Sequence, residues 1–463
     1  MLNWIRNLIG EPQRPESPAT ASPPPLPTRA APPQGPLTTA GDSPPSPISR
    51  HIILDRTAHI LGYEFMLRAG SGAASGDPAS RRAGDLALIR TINALDPQRI
   101  AQFREIWLAV GESTLDHPQL EALPAKATVV LVRAVPNHPP APEALARASV
   151  LRGLGFRFGL LGYTDNPAHR AWLPLVDCVA MDIPAYAPKE LEPAIAQIHG
   201  LRDGLKVVAR RIDSYEGYEF CHARGFDGFA GKFLTRRENW PPQPALDPDR
   251  ARLCDVLNRL RGGTELTEVA EALRLSPHIS YRFLRYINSA GMGLTGHIAS
   301  IEQGVLYLGR EKLYRWLTLL LFTAADGRNT DRALLEQALM RARMMELMGH
   351  ETHHEHVQCD ELFVVGMFSL FDVLLGMPLP IALRPLQLPK PVAGALIDGD
   401  GPYAALLRVA LACEQTDLDD DAGGGDSLGT LAATAGITVE RVNACHLEAV
   451  AWAQQLDTTP PEA

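Results

Sequence analysis

The sequence predicts two folded parts of different class, an α/β barrel and then an all-α domain, behind a proline-rich N-terminus. Short apolar runs alternate with helix-like stretches between residues 49 and 236, as they do in βαβ units. Helical periodicity replaces this alternation from residue 248 onwards. Prolines interrupt both patterns, at 12–47 before the first and at 241–244 between the two, which indicates separate domains.

The N-terminal segment, residues 1–48, is predicted to be a disordered tether. Residues 12–47 hold thirteen of the 39 prolines, and a segment of this composition buries almost no apolar surface. Ahead of it, Leu2, Ile5, Leu8 and Ile9 fall on one face of a short helix. That face could dock on a protein or a membrane surface. A frayed terminus is the favoured interpretation, because so short a helix is marginal alone.

Residues 49–236 are predicted to form a (β/α) barrel with a parallel sheet. Their apolar runs are hydrophobic on both faces, as buried parallel strands are, and helix-like stretches separate several of them. The runs lie at 52–54, 106–110, 128–135, 156–161, 178–183, 206–209 and 226–230. Barrel sites form where strands end, so the residues that follow these runs are the candidates for a site.

A linker at 237–247, an all-α domain at 248–456 and a tail at 457–463 complete the predicted organisation. Within the all-α domain, apolar residues recur at helical spacing, as at Leu253, Val256, Leu257 and Leu260. The aspartate- and glycine-rich run at 417–426 is predicted to be a solvated loop.

Composition restricts the function. The chain has 463 residues, 46% of them hydrophobic, and a formal charge of -9, which argues against a strong non-specific nucleic-acid binder and against an anionic-membrane binder. We also expect no specific nucleic-acid partner. The six cysteines are far apart, without the spacing of a zinc site or a disulfide framework. The longest apolar run, 316–325, is too short to span a membrane. We therefore expect a cytoplasmic protein without a transmembrane segment.

The first cluster with possible chemistry is Gly62-Tyr63-Glu64-Phe65-Met66-Leu67-Arg68. A carboxylate and a guanidinium four residues apart could bind a metal and a phosphate, but an ion pair at a strand end is favoured on spacing alone. The cluster resembles the Glu-x-Leu-x-Arg signature of the EAL domain, the barrel phosphodiesterase of cyclic di-GMP signalling, with Met66 in place of leucine. Further segments resemble that family in order, at 155–163, 179–182, 207–213 and 225–233.

The resemblance implies a site with two divalent cations, but most of its ligand positions have changed. The family's Asn position falls at Val110 or Gly111, and its next Glu position lies near Val132. Leu161-Gly162 stands in place of the family's Asp-Asp pair, Ala180 in place of its Lys and Arg210 in place of another Glu. Only Glu64, with Asp182 and Asp213 as weaker candidates, keeps a carboxylate. Two hard cations need several converging oxygens, so we expect no metal, no cofactor and no phosphodiesterase activity.

The remaining candidate ligand-binding residues of the barrel are Glu64, Arg68, Arg210 and Arg211. The three arginines could meet the phosphates of a nucleotide. The favoured interpretation is a structural ion-pair network, in which Arg210 replaces the charge of a metal by pairing with Glu64.

The second domain resembles the HDOD domain. The segments 275–280, 283–290 and 298–309 follow its hallmarks, with Ser276 in place of Asp and Gly304 in place of Ala. Pro277, Asn288 and Ser289 form its structural motif, and we expect Asn288 and Ser289 to satisfy backbone groups at a helix end. HDOD domains lack the metal-binding His-Asp pair of their phosphohydrolase relatives, and 363–372 contains no histidine.

The run His350-Glu351-Thr352-His353-His354-Glu355-His356 could hold a metal, because His350 and His354 would share a helix face. A hydrated loop after a helix stop at Gly349 is favoured.

Together these features resemble EAL–HDOD signalling proteins. They predict a non-catalytic regulator or scaffold that binds other signalling proteins. The alternatives are a sensor that binds cyclic di-GMP or another nucleotide without hydrolysis, and a residual metal-dependent phosphohydrolase.

Overall fold

The computed structural model describes residues 47–67, 77–135, 138–164, 166–236, 247–288, 297–323, 330–414 and 427–454. The predicted tether up to residue 46, residues 237–246 of the linker, the acidic loop and the tail lie outside the described residues, as do Arg68 and Ser289.

The first domain is a closed barrel of eight strands in sequential order, which confirms the predicted fold class. The strands are β1 (Ile48–Asp55), β2 (Ile60–Leu67), β3 (Glu105–Gly111), β4 (Thr128–Arg133), β5 (Arg157–Leu161), β6 (Cys178–Asp182), β7 (Lys206–Ile212) and β8 (Gly228–Gly231). Neighbouring strands from β2 to β8 pair in parallel.

The predicted parallel sheet has one exception, strand β1, which pairs antiparallel with both β2 and β8. The cause is a tight turn that leaves no room for a parallel crossover. In this turn the Asp55 carboxylate accepts hydrogen bonds from the backbone N–H groups of Thr57 (2.8 Å) and His59 (3.0 Å). Ala58 adopts a left-handed conformation, with φ of 61°. The glutamate motif therefore lies on a strand that the sequence analysis did not assign.

The described part of the barrel contains six helices: α1 (Pro78–Asn93), α2 (Pro97–Ala101), α3 (Pro142–Gly153), α4 (Pro167–Trp172), α5 (Pro188–Leu201) and α6 (Tyr215–Ala223). The connection from β3 to β4 contains three short 3-10 turns in place of an α-helix. Since the β1–β2 connection is a tight turn, no helix follows β1 to cover its outer face.

The second domain is all-α, as predicted. Its helices are α7 (Pro248–Arg261), α8 (Leu266–Arg274), α9 (Pro277–Ile287), α10 (Ile301–Leu308), α11 (Arg310–Thr323), α12 (Asp331–Glu351), α13 (His356–Phe368), α14 (Phe371–Leu375), α15 (Leu379–Leu383), α16 (Lys390–Ala393), α17 (Ala404–Ala412), α18 (Leu428–Thr434) and α19 (Val439–Gln454). A π-helical turn, Gly394–Asp398, continues α16.

The predicted helix stop at Gly349 is wrong, because α12 continues through it to Glu351. This glycine instead permits close packing of α12 against α13. A Cβ atom at Gly349 would lie 2.5 Å from Leu362 Cδ1, and one at Gly366 would lie 2.4 Å from Ala342 Cα. At both positions the close contact between the two helices requires a glycine, and helix termination does not.

Helices α12 and α19 of the second domain cover the outer face of β1 and β2. Met340, Leu447 and Val450 are buried in the same apolar cluster as the outer residues of the strands. The Ile48 N–H donates to Asn443 Oδ1 at 3.2 Å, and the Arg50 N–H donates to the Cys413 carbonyl at 3.0 Å. The helical domain thus provides the cover that the barrel connections do not.

Buried polar groups add two connections between the domains. The guanidinium of Arg50, only 3% exposed, donates to His446 Nε2 at 2.7 Å and to Gln337 Oε1 at 3.0 Å. On β2 the Tyr63 hydroxyl donates to Glu336 Oε1 at 2.7 Å, and Arg104 Nη2 lies 3.1 Å from the other oxygen of that carboxylate.

The contact between Arg50 and His446 predicts acid sensitivity. Burial, and secondly the charge of Arg50, hold the pKa of His446 well below its ordinary 6.5. Below about pH 6.5 the unfolded chain therefore binds a proton that the folded chain does not, and stability falls as pH decreases. Between about pH 7 and pH 5, we expect His446→Gln, which keeps an acceptor but cannot titrate, to lose about 2 kcal/mol less free energy of unfolding than the wild type, as measured by urea unfolding. Equal losses would contradict this prediction.

Candidate functional site

The candidate site lies toward the carboxyl ends of strands β2, β6 and β7, and it is built from Glu64, Asp182 and Arg210. Glu64 is 1% exposed and Arg210 is 5% exposed, while the Asp182 side chain is 33% exposed. We call these three residues the mouth triad.

Arg210 holds the mouth triad together. Its Nε lies 3.1 Å from Glu64 Oε2 and its Nη2 lies 2.6 Å from Glu64 Oε1, a bidentate pairing. Its Nη1 donates to Asp182 Oδ1 at 2.7 Å. Burial opposes the charge of the guanidinium, but the carboxylates of Glu64 and Asp182 outweigh burial and raise the pKa of Arg210. The arginine is therefore a permanent cation between two carboxylates.

Apolar side chains surround the mouth triad inside the barrel. Trp107, Val129, Leu131 and Ala180 belong to one buried interior cluster, and Ala109 and Leu161 pack against it. Strand alternation decides between the positions that the sequence leaves open. Val110 and Val132 are buried in the outer cluster beneath the helices, so the inward positions are their neighbours, Ala109 and Gly111 on β3 and Leu131 on β4.

Two carboxylates joined by a guanidinium are a poor metal site. Among the residues that the structure describes, no group of three or more His, Cys, Asp and Glu side chains is placed to hold a metal ion. Asp213, the third carboxylate proposed from the sequence, is exposed. A hard divalent cation prefers six or more oxygen ligands, so this arrangement favours an ion pair over a metal centre.

Arg211 is the residue after Arg210 on β7, and it is half-buried. Its φ of 57° places a non-glycine residue in the left-handed region, at an irregularity in the pairing of β7 with β8 between Ala209 and Ile212. Such backbone strain persists only where the surrounding structure holds it. At this point Ile212 approaches Gly231 so closely that a Cβ atom on the glycine would lie 2.3 Å from the Ile212 carbonyl oxygen.

Sequence reasoning missed two further polar groups. His51 lies opposite Glu64 in the β1–β2 register and is 5% exposed. Asp85 on α1 pairs with Arg133 and accepts from the Gly111 N–H at 2.7 Å and the Thr114 hydroxyl at 2.9 Å. Neither group belongs to an apolar run or a recognisable motif, so no pattern in the sequence indicates it.

The histidines of the 350–356 run are spread over the end of α12, a turn and the start of α13. His350 Nδ1 lies 3.5 Å from Cys359 Sγ, His354 Nδ1 lies 2.9 Å from Thr352 Oγ1, and His356 Nδ1 lies 3.3 Å from Asp360 Oδ2. His353 is exposed. The rings of His350, His354 and His356 thus each have a different neighbour.

The motif residues of the helical domain bond to the backbone. Ser276 caps α9 and accepts from the Ile279 N–H at 3.4 Å, and Pro277 is the first residue of that helix. The amide of Asn288 donates to the carbonyls of Leu284 (2.9 Å) and Ile298 (2.7 Å) and accepts from the Ile298 N–H (2.8 Å). Asn288 thereby joins the end of α9 to the segment before α10.

In the described part of the chain, no helix combines the length and the apolar character that a membrane crossing requires.

The HDOD domain family model matches residues 252–373, so the prediction of an HDOD domain behind a barrel is confirmed. The chain is similar to the uncharacterized protein YuxH of Bacillus subtilis, with 24% identity over 425 residues that cover 88% of this chain and 98% of that protein. It is also similar to the cyclic di-GMP phosphodiesterase CdgJ of Vibrio cholerae, with 25% identity over 376 residues, 80% of this chain and 85% of that protein.

Solved structures are more distantly similar. A calcium and cyclic di-GMP complex of Klebsiella pneumoniae BlrP1 has 16% identity and a TM-score of 0.33, and the match covers 42% of this chain and 55% of that one. An EAL domain protein of Listeria monocytogenes has 16% identity and a TM-score of 0.33, with coverage of 42% and 88%.

Proposed function

We propose that this barrel–HDOD protein is a non-catalytic regulator in cyclic di-GMP signalling that acts by binding other signalling proteins. The observation that carries the proposal is the position of Arg210, bonded to both carboxylates of the mouth triad. The similarity to a cyclic di-GMP phosphodiesterase along most of the chain supports the signalling context.

The chemistry of a two-metal phosphodiesterase conflicts with this arrangement. Such a mechanism needs oxygens around both ions, to activate water and to stabilise the leaving oxygen. In this barrel a metal at Glu64 would have to displace a bidentate guanidinium, and the neighbouring interior positions Ala109, Leu161 and Ala180 have no side-chain oxygen. The energetic cost of separating a buried ion pair opposes metal entry.

The electrostatics of the mouth triad also favour a regulator over a nucleotide sensor. Two carboxylates and one guanidinium leave one net negative charge, whereas cyclic di-GMP has two anionic phosphodiesters. Because each of the three guanidinium nitrogens already donates to a carboxylate, only two of the five N–H donors of Arg210 remain for a phosphate.

A hydrolysis assay tests the proposal. We expect purified full-length protein to release no linear product from cyclic di-GMP with Mg²⁺ or Mn²⁺. We expect the Glu64→Gln variant to give the same amount of product as the wild type. A metal-dependent phosphodiesterase serves as the positive control. Turnover that Glu64→Gln abolishes would overturn the proposal.

Calorimetric titration of cyclic di-GMP into the same protein separates regulator from sensor. We expect no heat of binding, with or without Mg²⁺. Micromolar binding that is lost in Arg211→Glu would favour the sensor.

A further inference from the structure

Helix α9 has an outward stripe of unusual composition. Its inward face is the buried set Ile279, Phe283, Tyr286 and Ile287. The opposite face contains His278, Tyr281, Arg282 and Arg285, at the i, i+3, i+4, i+7 spacing of one continuous stripe. Leu275, just before the helix, extends it. We call Leu275, His278, Tyr281, Arg282 and Arg285 the α9 stripe.

The α9 stripe is cationic in an acidic protein. Helix α9 has no acidic residue, although the chain has a net charge of -9. Arg285 is exposed and makes no ion pair within the described chain. Burial, and secondly the charge of Arg285, lower the pKa of Arg282, while Asp249 acts in the opposite direction. A third cation, Arg252, donates to the Leu275 carbonyl at 3.0 Å.

Large apolar groups lie beside these cations. Leu275 is 71% exposed and Tyr281 is 64% exposed, and neither is needed for the packing of α9. Tyrosine and arginine are the residue types that contribute most energy at protein interfaces. Exposed side chains of this kind beside repelling guanidinium groups indicate a surface that an anionic, partly apolar segment would complement.

We propose that the α9 stripe is the docking surface for an acidic, leucine-containing segment of a partner protein. The proposal rests on the proposed regulatory function and names the chemistry of the partner. A carboxylate of the segment would meet Arg285, and its apolar side chains would cover Tyr281 and Leu275. A protein segment fits better than nucleic acid, because it supplies apolar side chains for Leu275 and Tyr281 together with a few carboxylates, whereas the net negative charge of the chain more strongly repels the dense phosphate charge of a nucleic acid.

Fluorescence anisotropy with a defined probe tests the proposal. The probe is a fluorescein-labelled synthetic peptide of repeated Glu-Leu-Leu-Glu blocks, added to the full chain. We expect saturable binding that Arg285→Glu weakens about tenfold and that Tyr281→Ala also weakens. Both residues are exposed, so neither change should alter the folded structure, which circular dichroism checks.

Arg384→Glu is the matched control, because it makes the same charge change at another exposed arginine of the helical domain. We expect it to change the affinity less than about twofold. Equal losses in Arg384→Glu and Arg285→Glu would show a net-charge effect and overturn the proposal. So would tighter binding of labelled duplex DNA, or no saturable binding of the probe. None of these outcomes depends on cyclic di-GMP hydrolysis, so the docking surface and the proposed function fail separately.

Discussion

Replacing Arg210 with methionine is expected to lower the free energy of unfolding by about 3–5 kcal/mol. The arginine is the buried partner of Glu64 and also bonds Asp182. Without it, a carboxylate that is 1% exposed loses two charge-assisted hydrogen bonds and gains no solvent in return. Urea unfolding of the full chain, followed by tryptophan fluorescence, measures the loss.

A surface ion pair provides the matched control for this substitution. Arg82 and Asp116 are 3.0 Å apart with side chains 39% and 68% exposed, so Arg82→Met should cost less than about 1 kcal/mol. The double change Glu64→Leu with Arg210→Met removes both charges and should recover most of the stability. If Arg210→Met cost no more than Arg82→Met, the mouth triad would not contribute to stability.

Replacing Glu336 with leucine is expected to cost about 3 kcal/mol and to loosen the contact between the domains. Glu336 bonds the Tyr63 hydroxyl at 2.7 Å and pairs with Arg104 at 3.1 Å. The substitution leaves a poorly hydrated cation and a buried hydroxyl without their carboxylate. Urea unfolding measures the cost, and hydrogen exchange of the β1 and β2 amides reports the loosening.

The control is Glu302→Leu, at a pair within the helical domain. Glu302 lies 3.2 Å from Arg274, and both side chains are nearly half exposed, so we expect less than about 1 kcal/mol. Faster exchange in β1 and β2 should occur only in Glu336→Leu. The same exchange pattern in both variants would contradict the assignment of Glu336 to the domain contact.

The sequence predicts the two architectures because each has a distinct hydrophobic period. It does not predict the direction of β1, since the turn after Asp55 has no glycine, proline or Asn-Gly pair to indicate a hairpin. The contact between the two domains is equally unpredictable from the sequence. Ile48 and Asn443 are 395 residues apart, and no local pattern reports a contact of that range.

The candidate site is partly predictable for a related reason. An arginine at position 210, where the family resemblance implies a carboxylate, predicts pairing with Glu64, because a buried charge requires a partner of opposite charge. The sequence leaves the inward position open between Val110 and Gly111 on β3 and places the one on β4 only near Val132, because both inward and outward neighbours in these strands are apolar. Periodicity cannot distinguish the two faces of such a strand.

Tyr63 and Glu64 are consecutive residues of β2, and their side chains have partners in different domains. Tyr63 bonds to Glu336 of the helical domain, whereas Glu64 bonds to Arg210 inside the barrel. A single peptide unit of β2 therefore separates a residue that bonds the helical domain from a residue that bonds inside the barrel. The hydrogen bond from Tyr63 to Glu336 does not involve the Glu64 side chain, so it can join the two domains whether Glu64 meets a metal or an arginine. The proposed absence of catalysis therefore leaves this connection in place.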